Sequence, residues 1–282
     1  MPDGSTPRSA IYAAAKRFET VGVPDPVNDA ALLMTHVTGR PALTLRLDTK
    51  TALSGRQLAE YEALCAKRCE RVPLQWLLGT QPFCGHLFEV SPQALIPRPE
   101  TELLVERALA VREAFPLPRV LDLCTGSGCI ACSFALGAPD MTVEACDLSE
   151  GALALARRNA AALGARVAFY QGDLFEAVRG RSYGCVISNP PYIPASDIAC
   201  LQAEVRSEPV LALDGGEDGL DFYRRIAQEA PAYLARGGAL LMEIGSSQGR
   251  AVATLLTEAG FSGVCIRPDL AGLDRIAEAW LK

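Results

Sequence analysis

The sequence has no long apolar run, only two histidines (His36 and His86) and no excess of basic residues across its 282 positions. Its apolar stretches are strand-sized and interrupted by charge, well short of the roughly 20 residues a membrane-spanning helix needs. A formal net charge of −6, with Arg far more frequent than Lys, argues against tight non-specific DNA binding, which depends on neutralising phosphates. A local basic face remains compatible with that total, but the balance leans towards a protein or small-molecule substrate. The two histidines lie far from Cys129-x-x-Cys132, and no second C-x-x-C exists to complete a zinc or redox site, so no metal is expected. The ten cysteines fall mostly inside apolar runs, with Cys124, Cys146, Cys185 and Cys265 in or beside expected strands. They read as reduced, small hydrophobes. Met1-Pro2-Asp3-Gly4-Ser5 lacks a basic start followed by an apolar run, so no secretory signal and a cytoplasmic location are expected.

What is present is a 49% hydrophobic chain without internal repeats, enough for one large α/β domain and a smaller appendage. From about Ser9 to Leu78 the pattern is helical. Ala31, Leu32, Leu33 and Val37 recur at helical spacing, as do Leu58, Tyr61, Leu64 and Cys65. Pro24-Asp25-Pro26 and Thr38-Gly39-Arg40-Pro41 interrupt it, and Ser54 is placed to cap a new helix. Four or five helices ending near Pro73 are expected. Phe83, Leu87, Phe88 and Val90, spaced by Gly85, suggest a β-hairpin. Beyond Ile96-Pro97-Arg98-Pro99, Glu100 or Thr101 is expected to open a helix running to about Ala114. Strands are expected at Arg119–Leu123, Thr142–Asp147, Arg166–Gln171, Cys185–Asn189, Ala239–Ile244 and Ser262–Arg267. Helices between them include Ala152–Leu163 and Phe222–Leu234. Such alternation implies a doubly wound, mostly parallel sheet covered on both faces. The expected organisation is a helical, substrate-binding domain over 1–78, a hairpin linker over 79–97 and a catalytic domain over 98–282.

Val120-Leu121-Asp122-Leu123-Cys124-Thr125-Gly126-Ser127-Gly128 runs from an apolar strand into a glycine turn and then a helix. Glycine lets the backbone turn sharply and approach a ligand closely. Gly126-x-Gly128-x-x-Ala131 also fits a dinucleotide fingerprint, so the loop alone leaves NAD and S-adenosylmethionine open. Asp147 ends the next strand, where a carboxylate can accept from ribose hydroxyls; the alternative reading is a cap on the following helix. Asp173 is placed to receive an adenine amino group, with Leu174 and Phe175 able to cover the ring.

Asn189-Pro190-Pro191-Tyr192 decides between the cofactors. It follows the fourth strand, at the carboxyl edge where α/β sheets bind ligands. The lone pair of a planar –NH2 group is delocalised and attacks carbon poorly. Two acceptors gripping both N–H groups would aim that lone pair at a sulfonium methyl and stabilise the charge growing on nitrogen. The Asn189 side-chain oxygen and the Pro190 carbonyl can supply those acceptors, because the prolines hold an extended shape. Tyr192 can pack on the flat face. The expected catalytic residues are therefore Asn189, Pro190 and Tyr192, and no general base is singled out.

With these residues in place, the chain resembles the peptide chain release factor N5-glutamine methyltransferases over nearly its whole length. The likeness rests on Asp29–Leu33, His36–Arg40, Val90-Ser91-Pro92, Leu95–Glu102, the glycine loop, Asn189–Ile193, Glu243-Ile244-Gly245 and Asp269–Arg275. It implies a seven-stranded class I methyltransferase sheet and S-adenosylmethionine as methyl donor. It further implies a target glutamine in the Gly-Gly-Gln loop of a class I release factor, in the service of translation termination, and a monomer. The family's cofactor contacts fall on Cys124, Thr125, Gly126, Ser127, Gly128, Asp147, Asp173, Leu174 and Asn189. Its substrate contacts fall on Asn189, Pro190, Pro191 and Tyr192. Two departures stand out: Cys84 where an aromatic is frequent, and Leu174 where some members carry Trp. An adenine-N6 or cytosine-N4 nucleic-acid methyltransferase would use the same tetrapeptide on a flipped base, but the acidic charge and the matching helical region oppose it. A dinucleotide oxidoreductase would leave the tetrapeptide idle, and a non-catalytic module would be expected to have lost Asn189 or a loop glycine.

Overall fold

The computed structural model describes residues 5–282; the reading of Met1-Pro2-Asp3-Gly4 lies outside the described residues. The chain divides into two units, one running to Gly79 with Gln202–Ser207 added, the other comprising Thr80–Leu201 and Glu208–Lys282. Among the described residues no helix is long and apolar enough to cross a membrane.

The first unit holds α1 (Pro7–Thr20), α2 (Pro26–Thr38), α3 (Ala42–Leu47), α4 (Gly55–Cys69) and α5 (Leu74–Leu78). The bundle thus continues one short helix past Pro73. Thr6 and Ser9 form a capping box on α1, and Ser54 and Gln57 form another on α4. Ile11, Ala14, Ala15 and Phe18 bury one stripe of α1 against Leu33, Met34, Leu45 and Tyr61. Arg68 is buried in this unit, 2.8 Å from Asp29 and 2.7 Å from Glu204. Burial works to raise the Glu204 carboxyl, but hydrogen bonds from Arg71 and Arg68 outweigh it and bring it down to about 2.

The second unit opens with the hairpin β1 (Thr80–Phe83) and β2 (His86–Glu89). Its two-residue turn, Cys84-Gly85, has both φ positive. Phe83 and Phe88 meet edge to face at 5.9 Å inside the unit's core. Then follow α6 (Pro99–Val111), β3 (Arg119–Leu123), α7 (Cys129–Gly137), β4 (Thr142–Asp147), α8 (Glu150–Leu163), β5 (Val167–Gln171) and β6 (Tyr183–Ser188). The single turn α9 (Ala203–Arg206) falls in the stretch grouped with the first unit. Last come α10 (Asp221–Glu229), β7 (Leu234–Glu243), α11 (Gly249–Glu258), β8 (Phe261–Pro268) and β9 (Asp274–Leu281).

Seven strands form one sheet in the order β5-β4-β3-β6-β7-β9-β8, with β9 antiparallel to both neighbours and the rest parallel. Side-chain alternation explains its two covered faces. Val120, Cys185, Ile187 and Leu241 enter one core with Ile130 and Phe134, while Leu121, Val186, Leu240 and Met242 enter the other with Tyr223 and Ile226.

Several expected boundaries move, each for a local reason. α6 begins at Pro99 behind Arg98 rather than at Glu100 or Thr101, because proline is preorganised for the first helical position. The helix expected to reach Leu234 stops at Glu229, and Pro231, lacking an N–H, lies in a 3-10 turn. β7 starts five residues early because Gly237-Gly238 disguised its first half. β9 escaped the pattern reading because its Asp, Glu and Ala residues are poor strand formers. Its Glu278 is nonetheless buried, held by Arg107 and Arg267 at 2.7 and 2.6 Å.

Candidate active site

The strand order reverses between β3 and β6, and an open cleft lies there, at the carboxyl ends of the strands. Register explains why two distant motifs meet. Leu123 pairs with Ser188, and the Ser188 hydroxyl donates to the Leu123 carbonyl at 2.9 Å. The next residues, Cys124 and Asn189, therefore leave the sheet side by side, and both line the cleft.

The glycine loop is held by acids on either side. Asp122 is buried on β3; its Oδ2 accepts from Thr125 Oγ1 at 2.6 Å and from the Ala131 N–H at 3.2 Å. Burial pushes its carboxyl up to about 7 against those hydrogen bonds. Asp147 Oδ2 accepts from the Gly126 N–H at 2.8 Å, and its Oδ1 from the Ser149 N–H at 2.9 Å. Burial raises this carboxyl too, opposed by the N–H groups of Ser149, Gly126 and Leu148. The side chain that caps α8 is Ser149, accepting from the Ala152 N–H. Asp147 instead braces the loop from the cleft wall.

The two loop glycines differ in function. A Cβ on Gly128 would sit 2.9 Å from the Ala156 Cβ, so its absence lets α7 approach α8. A Cβ on Gly126 would meet only the Ala94 Cβ at 3.9 Å and would otherwise occupy open space. Both have positive φ, +55° at Gly126 and +79° at Gly128.

Of the expected site residues, Cys124, Thr125, Gly126, Ser127, Asp147, Asp173, Leu174, Asn189 and Pro191 line the cleft; Gly128, Pro190 and Tyr192 do not. Asp173 is engaged by Arg225 at 2.8 Å. Phe175 cannot cover a ligand ring, because it is fully buried and stacked 4.6 Å from Tyr233. Phe222, from α10, lines the cleft instead. Its position on an amphipathic helix far downstream gave no sequence signal.

The tetrapeptide is clamped from behind. Gln248 Nε2 donates to the Tyr192 carbonyl at 3.0 Å and to the Gly219 carbonyl at 3.1 Å, while its Oε1 accepts from the Gly245 N–H at 2.9 Å. The backbone of Ile193 bonds to Leu213 and Gly215. Burial pushes the Tyr192 hydroxyl up to about 12, so it stays neutral. Glu208 fixes the other wall, accepting from the Ile96 N–H at 2.8 Å and pairing with Arg98. Thr101, Glu208, Gln248 and Phe222 were not assigned roles at the site from sequence; Thr101 was expected only to open a helix within the Pro-Arg-Pro-Glu-Thr-Glu stretch.

A doubly wound sheet with this strand order, a glycine turn after β3 and an acid at the end of β4 defines a class I methyltransferase fold. Residues 99–204 match the family described as methyltransferase small domain, and residues 9–79 match the PrmC N-terminal domain. A methyltransferase from Pyrococcus furiosus shares the fold, with a TM-score of 0.51 at 17% identity, covering 68% of this chain and 87% of that one. The release factor glutamine methyltransferase of Cereibacter sphaeroides is 45% identical over 96% of this chain and 97% of its own length. That of Geobacter sulfurreducens is 44% identical over 86% of each. The chain belongs to the release factor glutamine methyltransferase family.

Proposed function

We propose that this glutamine methyltransferase transfers a methyl group from S-adenosylmethionine to the side-chain amide nitrogen of the glutamine in the Gly-Gly-Gln loop of class I peptide chain release factors. The observation that carries the reading is the placement of Asn189 beside Cys124–Ser127 in one cleft. The residues present suit the cofactor. The open space over Gly126 leaves room for close approach of a ligand to the backbone, and the Ser127 hydroxyl is buried without a partner at the cleft wall. Asp147 suits a ribose diol, and Leu174 and Phe222 supply apolar cover for a base. The cofactor supplies an electrophilic methyl group on a sulfonium.

Asn189 and the Pro190 carbonyl then hold the two N–H groups of the target amide. The acceptors would aim its nitrogen lone pair at the sulfonium methyl and bear part of the positive charge that grows on nitrogen as the N–C bond forms and the S–C bond breaks, with S-adenosylhomocysteine leaving as the neutral thioether. The amide proton is lost to water afterwards, so no buried base is required. Tyr192 lies outside the cleft lining and stabilises the tetrapeptide through its carbonyl, which accepts from Gln248. The helical unit over 1–78 supplies binding surface for the protein substrate, since a three-residue loop offers little by itself.

The test is a methyl-transfer assay with labelled S-adenosylmethionine. Label should enter a release factor, and neither the same factor with its loop Gln changed to Ala nor duplex DNA run in parallel. Equal labelling of factor and loop variant would remove the proposed target; labelling of the duplex alone would favour the nucleic-acid reading.

A further inference from the structure

Resting on that reading of Asn189, we propose that Thr101 and Glu243 are positioning residues that fix which end of the Asn189 amide is presented to the substrate. Asn189 Nδ2 donates to Thr101 Oγ1 at 3.3 Å, and Thr101 Oγ1 donates to Glu243 Oε2 at 2.6 Å. Thr101 and Glu243 are each 2% exposed, at the start of α6 and the end of β7.

The direction of the chain follows from proton counting. A threonine hydroxyl has one hydrogen. With Glu243 ionised, that hydrogen is spent on the carboxylate, and only lone pairs remain facing Asn189. A lone pair can receive Nδ2 but repels Oδ1, so the amide is held with Oδ1 turned away from Thr101. No donor among the described residues reaches Oδ1, which leaves it to accept from a substrate amide. Once Glu243 is protonated, it can itself donate to Thr101. The hydroxyl hydrogen is then free for Asn189 Oδ1, and the flipped amide, which offers the substrate a donor instead of an acceptor, becomes equally good. The ionised carboxylate therefore makes the relay one-directional.

The surroundings of Glu243 make this a working-range switch. Burial pushes its carboxyl up to about 7, opposed by the Thr101 hydrogen bond and by the charges of Arg275 and Arg98, with Glu100 adding to the rise. Tyr192 and Tyr223 also face it, both held neutral by burial. Turnover should accordingly climb as pH rises through about 7.

Thr101→Val removes the acceptor and preserves shape; Thr101→Ser keeps it. With release factor as substrate, Thr101→Val should lose at least tenfold in kcat while calorimetry shows unchanged S-adenosylmethionine affinity, and Thr101→Ser should retain most of the wild-type rate. Glu243→Gln, whose amide can face Thr101 either way round, should lower kcat and flatten the pH profile. Wild-type kcat in Thr101→Val, a Ser variant as slow as the Val variant, cofactor affinity falling in step with kcat, or an unchanged pH profile in Glu243→Gln would each overturn the assignment. Wild-type protein that leaves the release factor unmethylated would instead overturn the function on which it rests.

Discussion

Replacing each loop glycine by alanine should separate two roles that look identical in the sequence. At Gly128, φ is +79° and the new Cβ would lie 2.9 Å from the Ala156 Cβ and 3.2 Å from its Cα. Left-handed backbone costs a non-glycine residue roughly 1–2 kcal/mol, and overpacking a well-filled contact costs roughly 1–3 kcal/mol more. Because Ala156 lies on α8 with its Cα also in the way, relaxation requires a helix to shift. Gly128→Ala should therefore lose about 2–5 kcal/mol, adding the two ranges, seen as a fall in Tm of roughly 4–20 °C. At Gly126, φ is +55° but the Cβ enters open cleft. Gly126→Ala should cost only the backbone part, about 1–2 kcal/mol, and should weaken S-adenosylmethionine binding well beyond that loss in stability. Thermal unfolding and titration calorimetry on both variants distinguish the cases. Wild-type cofactor affinity in Gly126→Ala, or wild-type stability in Gly128→Ala, would refute the division.

Further outcomes follow from the same geometry. Asn189→Ala should lose at least about 2–3 kcal/mol of transition-state stabilisation, read as a fall in kcat with cofactor affinity kept; unchanged turnover would remove its role. Asp122 and Glu243 are both pushed up to about 7 by burial. Each then binds its proton more tightly folded than unfolded, so their contribution to stability is greatest below the ordinary carboxylate range and is lost as pH rises from about 4 through 7. Denaturation midpoints at pH 5 and pH 7.5 should show a smaller drop in Asp122→Asn than in the wild type, and equal drops would contradict the burial argument. In the helical unit, Arg68→Ala leaves Asp29 and Glu204 without their buried cation and should cost roughly 3–5 kcal/mol. A denaturation curve matching the wild type would show the pair to be dispensable.

The cofactor loop and Asn189-Pro190-Pro191-Tyr192 were legible in the sequence because their chemistry is local: glycines where φ must be positive, prolines where the backbone must be stiff. Strands β3 and β4 were equally plain, since each is a short, largely apolar run bounded by turn residues and buried on both faces, although each carries one buried acid, Asp122 and Glu144. The capping box at Ser54 and the hairpin turn at Cys84-Gly85 belong to the same class of short-range signal. The sequence by itself thus determined the α/β alternation, the helical N-terminal region and the chemical character of the site.

What only the tertiary structure decided was which side chains complete one another across long separations. Thr101 and Glu243 stand 142 positions apart, and nothing in either neighbourhood marks them as partners. The same holds for Phe222, which lines the cleft that Phe175 was expected to cover, and for Gln248, which clamps Tyr192 from 56 residues away. Strand β9 hid because it buries Glu278, a residue acceptable there only because Arg107 and Arg267 arrive from elsewhere to pair with it. A buried polar group is costly until its partner is in place. Periodicity reports a residue's own preference for burial; the partner that makes a buried charge or hydroxyl tolerable is supplied by the sheet order and register.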